Sequence, residues 1–185
     1  MKLVITPNQR TRLIASLMEG WIAPHSRVLD LGAGQGYISR YLASVGHRVT
    51  PVDVRDTSIF PEFKPMLYDG AHLPFESGSF DTAILCTVLH HTPSPEVVLR
   101  EAGRVANQLV VIEDIFRTRF GKFTAAAGCS ISNFQFTNHP HSNRSDEQWR
   151  ETFGTLGMPL LRTRYQRYIF VVLPFFAGAY HISSR

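Results

Sequence analysis

Three glycines at alternate positions, Gly32, Gly34 and Gly36, follow directly on the run Val28-Leu-Asp-Leu31. A buried strand that runs into such a turn has the makings of a nucleotide site. Glycine removes the side chains that would keep a ligand off the backbone, and the helix that starts there aims its first N–H groups at the ligand. The spacing is G-x-G-x-G, whereas the dinucleotide fingerprint would need a glycine where Tyr37 stands, so NAD is disfavoured. Acids stand around the turn: Asp30 two residues before the first glycine, Asp53 at the end of the next apolar run, and Asp69 in an Asp-Gly turn with Gly70 and Ala71. A carboxylate at the position of Asp53 can accept hydrogen bonds from both hydroxyls of a ribose. Further on, Cys86-Thr-Val-Leu-His-His91 places two imidazoles after another apolar run. Imidazole exchanges protons near neutral pH, so His90 and His91 are the candidate bases, with His139 and His141 behind them. Cys86 reads as a packed or pocket-lining thiol rather than a nucleophile.

The elements that must position these residues are legible in the periodicity. Thr6-Pro7-Asn8 can start a helix with apolar Leu13, Ile14, Leu17, Met18 and Trp21 on one face. Arg27 to Leu31 reads as a strand, Gly36 to Val45 as its helix and His47 to Val54 as the next strand, a βαβ unit. Phe80 to Cys86 and Asn107 to Glu113 read as buried strands around a helix from Pro95 to Val105. Beyond them stand a helix from about Asp146 to Leu156, stopped by Gly157, and two β-rich runs, Leu160 to Tyr165 and Tyr168 to Leu173, expected to pair as a hairpin. Open α/β sheets bind ligands beyond the carboxyl ends of their strands, where Asp53 and the histidines fall.

With Asp30 before the glycines, the segment resembles the first motif of the class I S-adenosylmethionine (SAM) dependent methyltransferases. Three later segments repeat the resemblance in order, over roughly Ser26 to Asp114. Cys86-Thr-Val-Leu-His-His-Thr92 followed by Pro-Glu-Val-Val-Leu-Arg-Glu-Ala-Gly-Arg-Val105 resembles the small-molecule branch that holds the ubiquinone and menaquinone C-methyltransferases. The resemblance implies a Rossmann-like, doubly wound seven-stranded sheet, mostly parallel with an antiparallel C-terminal hairpin. It also implies a SAM site in which Asp53 takes the ribose, Asp30 helps hold the methionine amino group, and Asp69, Gly70 and Ala71 meet the adenine. S-adenosylhomocysteine would be the product. One departure stands out: relatives insert a Lys-Pro-Gly-Gly turn after Arg-Val, and this chain passes from Val105 through Ala106 straight to Asn107.

Composition bounds the rest. With 185 residues, 44% hydrophobic and 18% charged, the chain suits one domain, residues 1–185, with a substrate-side insertion at 116–144 where periodicity fails. Its two cysteines match no metal spacing, and His139-Pro-His141 lacks a third ligand, so no metal is expected. Reduced thiols and the short apolar run at the N-terminus suit the cytoplasm. No stretch reaches the ~20 residues of a membrane span. Residues 1–114 carry ten Lys or Arg against twelve Asp or Glu, while residues 115–185 carry nine against three. That basic second part favours an anionic small-molecule acceptor and keeps an RNA or protein methyltransferase open as a rival. A non-catalytic SAM-binding module is the other rival. The fourth strand end lacks the Pro-Pro-Tyr or Pro-Cys of base methylation, so no stable nucleic-acid partner is expected. A monomer or homodimer is anticipated.

Overall fold

The computed structural model describes residues 7–116, 143–170 and 173–184, so the 116–144 insertion falls almost wholly outside the described residues. The described elements run α1 Pro7–Met18, β1 Arg27–Leu31, α2 Tyr37–Ser44, β2 Arg48–Asp53, a 3-10 turn Pro61–Phe63, β3 Met66–Leu67, β4 Phe80–Cys86, a second 3-10 turn Leu89–His91, α3 Pro95–Val105, β5 Ala106–Ile115, α4 Asp146–Thr155, β6 Leu160–Phe170 and β7 Leu173–Ser183. The strands form one seven-stranded sheet in the order β3-β2-β1-β4-β5-β7-β6, parallel from β3 to β5 and antiparallel at β5/β7 and β7/β6.

Alternation along the strands builds two apolar layers. Leu29, Leu31, Ala83, Leu85, Leu109, Val111, Tyr180 and Ile182 face α3 and α4; Val28, Ile84, Val110, Ile112, Ala177 and Ala179 face α1 and α2. Small Ala177 and Ala179 let α1 lie close to β7, where Ile14, Leu17, Met18 and Trp21 complete the second layer. α3 begins on Pro95, whose fixed φ suits a first helical position, and buries Val98, Leu99, Ala102 and Val105 at helical spacing. α4 starts on a capping box in which the Ser145 hydroxyl accepts from the Gln148 N–H and the Gln148 side chain accepts from the Ser145 N–H. It buries Trp149 and Phe153, with the Phe153 ring 5.3 Å from that of Tyr180; cutting either side chain of α4 back to alanine costs about 3–5 kcal/mol.

The β-rich C-terminus departs from expectation. Gln166 and Arg167, taken as the hairpin link, lie inside β6 and pair with Ala177 and Phe176 of β7. Neither residue fixes or frees φ as a turn demands, so nothing there breaks the strand. The chain from Leu173 onward forms β7, which fills the slot between β5 and β6. Arginines Arg162 and Arg164 of edge strand β6 reach back to α1: Arg164 donates to the carbonyls of Ser16, Leu17 and Glu19 at 3.2, 3.3 and 2.8 Å, and Arg162 to that of Gly20 at 3.4 Å.

Candidate cofactor and acceptor site

Register brings the sequence-predicted residues to one end of the sheet. Asp30 pairs with Pro51 and Ile84, Leu31 ends β1 beside Val52 and Leu85, and Asp53 ends β2 beside Leu67. The glycine turn between β1 and α2 is bound to β2: the N–H groups of Gly32 and Ala33 both donate to the Val52 carbonyl, at 2.8 and 3.1 Å. Gly34 N–H donates to Asp53 Oδ2 at 2.8 Å, and Gly36 N–H folds back on the Ala33 carbonyl. Four N–H groups of the turn, those of Gly32, Ala33, Gly34 and Gly36, are thus engaged by the protein.

What the turn offers is room. Gly34, at φ +52°, would aim a Cβ into space with no heavy atom within 4 Å, and it lies beside the Asp53 carboxylate. The neighbouring glycines are filled from above. A Cβ on Gly32 would come within 2.3 Å of a Val88 methyl, and one on Gly36 within 3.0 Å of Ser58 Oγ. The Ser58 to Phe63 stretch folds over Gly36, pinned by Ile59 N–H to the Gln35 carbonyl and by the Phe60 ring under the Arg40 guanidinium.

Asp30 lies beneath the turn, 2% exposed, and accepts from the Ser39 hydroxyl at 2.6 Å and from the Ser39 backbone. It thereby caps α2 from the neighbouring strand. Burial pushes its carboxyl up to about 6, the Ser39 bonds oppose that, and the charge of Asp53 adds to it. Asp69 sits in its own turn. Its Oδ1 accepts from the Ala71 and His72 N–H groups at 2.8 and 2.7 Å, and its Oδ2 meets His72 Nδ1 at 3.0 Å. The His72 N–H, the His72 ring and the Ala71 N–H hold this exposed carboxyl well below the usual range. Gly70 then lies beside Val54, its Cβ position 3.5 Å from a Val54 methyl, which brings the Asp69 turn next to the end of β2. The loop that follows is clamped to α3: Glu101 accepts from the Leu73 N–H, and Arg104 donates to the Leu73 and Phe75 carbonyls while pairing with Glu101.

Past β4 the chain turns sharply. Thr87 has φ +55°, strained for a β-branched residue, with its N–H on the Ile112 carbonyl at 2.7 Å and its hydroxyl accepting from Arg10 of α1 at 2.9 Å. His90 is 3% exposed and His91 half-buried, their rings 4.0 Å apart. The two rings pack against each other, and His90 turns inward to Glu113 of β5, its Nδ1 2.5 Å from Oε2. Burial pushes the Cys86 thiol up to about 12, which suits a packed thiol rather than a nucleophile.

Several residues of this end escaped the sequence reading. Glu113 is fully buried and accepts from the Val88 and Leu89 N–H groups as well as meeting His90. Asp114, on the opposite face of β5, accepts from the Tyr168 hydroxyl at 2.6 Å, in a cleft shared with Arg10, Thr87 and Ile112. The visible sign was two adjacent acids, Glu113 and Asp114, in an otherwise apolar strand. A cleft of about 450 Å³ lies on the β6 edge between α4 and Leu160, four strands from β1 and away from all of this chemistry. No group of metal-holding side chains occurs among the described residues, and no helix there is long and apolar enough to cross a membrane.

Comparison with known proteins agrees with the geometry. Residues 29–109 match the model of a methyltransferase domain. The chain is 33% identical over 97 residues to sterol methyltransferase-like 3 of Botryococcus braunii, a match covering 45% of this chain and 25% of that protein. It is 29% identical over 86 residues to the ubiquinone biosynthesis O-methyltransferase of Xanthomonas euvesicatoria pv. vesicatoria (strain 85-10), covering 40% of this chain and 36% of that one. The chain thus spans well under half the length of the curated relatives it matches. Among solved structures, magnesium protoporphyrin IX methyltransferase of Synechocystis PCC 6803, with bound S-adenosylhomocysteine, superposes with a TM-score of 0.66 at 20% identity, over 96% of this chain and 84% of that one. Residues 29–109 are thus similar to a methyltransferase domain, and the seven-stranded sheet that carries them shares the fold of the solved methyltransferase.

Proposed function

We propose that the protein transfers a methyl group from SAM to a small-molecule acceptor at the carboxyl ends of β1, β2 and β4. The observation that supports this best is the space over Gly34, bordered by the Asp53 carboxylate and floored by a turn whose own N–H groups are tied down. A nucleoside can lie flat on such a surface with its ribose hydroxyls on Asp53. Asp30, Gly32, Gly34 and Gly36 serve the methionine end, Asp69, Gly70 and Ala71 the adenine, and Cys86 lines the wall between cofactor and acceptor.

SAM supplies a methyl group already activated by its sulfonium, so the chain has to align the partners and exclude water. Of the two histidines, His91 is the candidate base, because His90 is sealed in against Glu113. The acceptor enters from the α1 side, past Arg10, Thr87 and Asp114. A hydroxyl, amine or acidic carbon fits this arrangement equally. The relatives' names, sterol, ubiquinone-biosynthesis and magnesium protoporphyrin IX methyltransferases, favour a small molecule over RNA or protein. An anionic acceptor draws less support than the charge count suggested: Arg144 pairs with Glu96, Arg150 with Asp146, and Arg162 and Arg164 bond α1. We take the chain to act as one domain with an acceptor-side insertion at 116–144, in the cytoplasm, as a monomer or homodimer.

Calorimetric titration with S-adenosylhomocysteine tests the cofactor half. The wild type should bind, and Asp53→Ala, losing two charge-assisted hydrogen bonds of about 1.5–3 kcal/mol each, should bind at least ~10²-fold more weakly. Equal affinity in the variant would remove Asp53 from the site. A screen of metabolites with labelled SAM tests the acceptor half, and a protein that binds SAM but labels nothing would favour the non-catalytic module.

A further inference from the structure

Glu113 is the most completely enclosed acid of the described residues, 0% exposed on β5, and the role proposed above makes no use of it. Its two oxygens divide their work. Oε1 accepts from the consecutive N–H groups of Val88 and Leu89, at 2.9 and 2.7 Å, and Oε2 meets His90 Nδ1 at 2.5 Å. These bonds fall immediately after Thr87, whose positive φ persists only because contacts on both sides impose it.

We propose that Glu113 is a positioning residue: it sets the path of the loop after β4 over the glycine turn and holds His90 with its proton on Nδ1. The first half follows from contact. With its N–H fixed to Glu113, Val88 places its methyls where a Cβ of Gly32 would have to go, so carboxylate, loop and glycine turn form one continuous series. A side chain at Gly32 or a slack Val88 would equally disturb the floor on which a nucleoside lies. The second half follows from proton accounting. With Oε1 taken up by the two N–H groups, Oε2 is the acceptor offered to His90, so the imidazole supplies the hydrogen from Nδ1 and in the neutral ring Nε2 carries the lone pair. The consequence for catalysis rests on the methyl-transfer reading of this crevice; the geometry does not.

Glutamine at this position separates placement from mere filling. In Glu113→Gln the amide oxygen still accepts from Val88 and Leu89, while the amide NH2 faces Nδ1 and forces the ring proton to Nε2. Glu113→Ala removes the anchor altogether. The measurements are the ring 15N and 1H correlations of His90 in labelled protein, amide exchange over residues 87–91, and calorimetric titration with S-adenosylhomocysteine. The wild type should show Nδ1–H, and E113Q should show Nε2–H with affinity within ~3-fold of wild type. E113A should bind ~10-fold or more weakly, with exchange in the loop faster by a similar factor. A wild-type ring protonated on Nε2, or a ring spectrum unchanged in E113Q, would overturn the assignment, as would an E113A protein that keeps wild-type affinity and a protected loop. If E113A fails to fold, the E113Q ring spectrum decides alone. Failure of the wild type to bind S-adenosylhomocysteine would sink the methyl-transfer reading, and the ring spectra would still judge Glu113.

Discussion

Asp30 links the pH of the solution to the stability of the glycine turn. Its carboxyl titrates at about 6 in the folded chain, chiefly because it is buried, against ~3.9 in an unfolded one. The folded state therefore holds this proton more tightly. Its contribution is fully present below pH ~4, is lost as pH rises to about 6, and amounts to a cost on the order of 3 kcal/mol above that. Asp30→Asn keeps the shape and removes the charge, so urea unfolding between pH 4 and 8 should lose this decline, and the variant should be the more stable protein at pH 8. A variant whose stability follows the same pH curve as wild type would place the proton elsewhere. The placement of this residue, the glycines and Asp53 at strand ends and in the turn was legible because such positions are written locally in the chain. Glu113 was not, since its partners lie 23 to 25 positions away and nothing local marks an acid in a buried strand as satisfied.

Helices and strands were readable where periodicity was strong and unreadable where the tertiary structure decides. β1, β4 and α3 fall where alternation and spacing put them, whereas β3, two exposed residues long, has no pattern and exists only because Met66 and Leu67 pair with Val52 and Asp53. The hairpin register failed for the same reason: β6 is an edge strand, and its length is dictated by β7 rather than by its own turn residues. Part of the basic charge of the C-terminal part, among the described residues, finds its explanation at this scale. Arg164 of β6 gives the carbonyl end of α1 a cation and three hydrogen bonds, while its guanidinium lies 5.1 Å from the Trp21 ring. Arg164→Ala should lower stability by about 1–3 kcal/mol and speed amide exchange in the last turn of α1 above that in α3. Uniform exchange in both helices would show that α1 does not depend on β6.

Across the whole molecule, α4 and the strands after it are built into the sheet that carries the glycine turn. Arg144 pairs with Glu96 of α3 at 2.6 Å, Trp149 and Phe153 fill the layer shared with β1, β4 and β5, and β7 pairs along β5. A core shared in this way should unfold in one step, with calorimetric and fluorescence transitions coinciding. S-adenosylhomocysteine at about 100 times its dissociation constant should add ~2.7 kcal/mol and raise Tm by ~5–10 °C. Two separable transitions, or a ligand that shifts only part of the signal, would break the single-domain reading.

The slot occupied by β7 has a further consequence during synthesis. β5 is complete at Ile115, yet the strand that covers its free edge ends at Ser183, roughly 70 residues later in the chain. At ~5–20 residues per second a ribosome takes about 3–14 s over that interval. Throughout it the nascent sheet exposes the backbone of Leu109, Val110, Val111 and Ile112, apolar on both faces and open to pairing with any other strand. The yield of native protein is then set by how quickly translation delivers the closing strand relative to encounters between nascent chains, a quantity that the stability of the finished sheet does not enter.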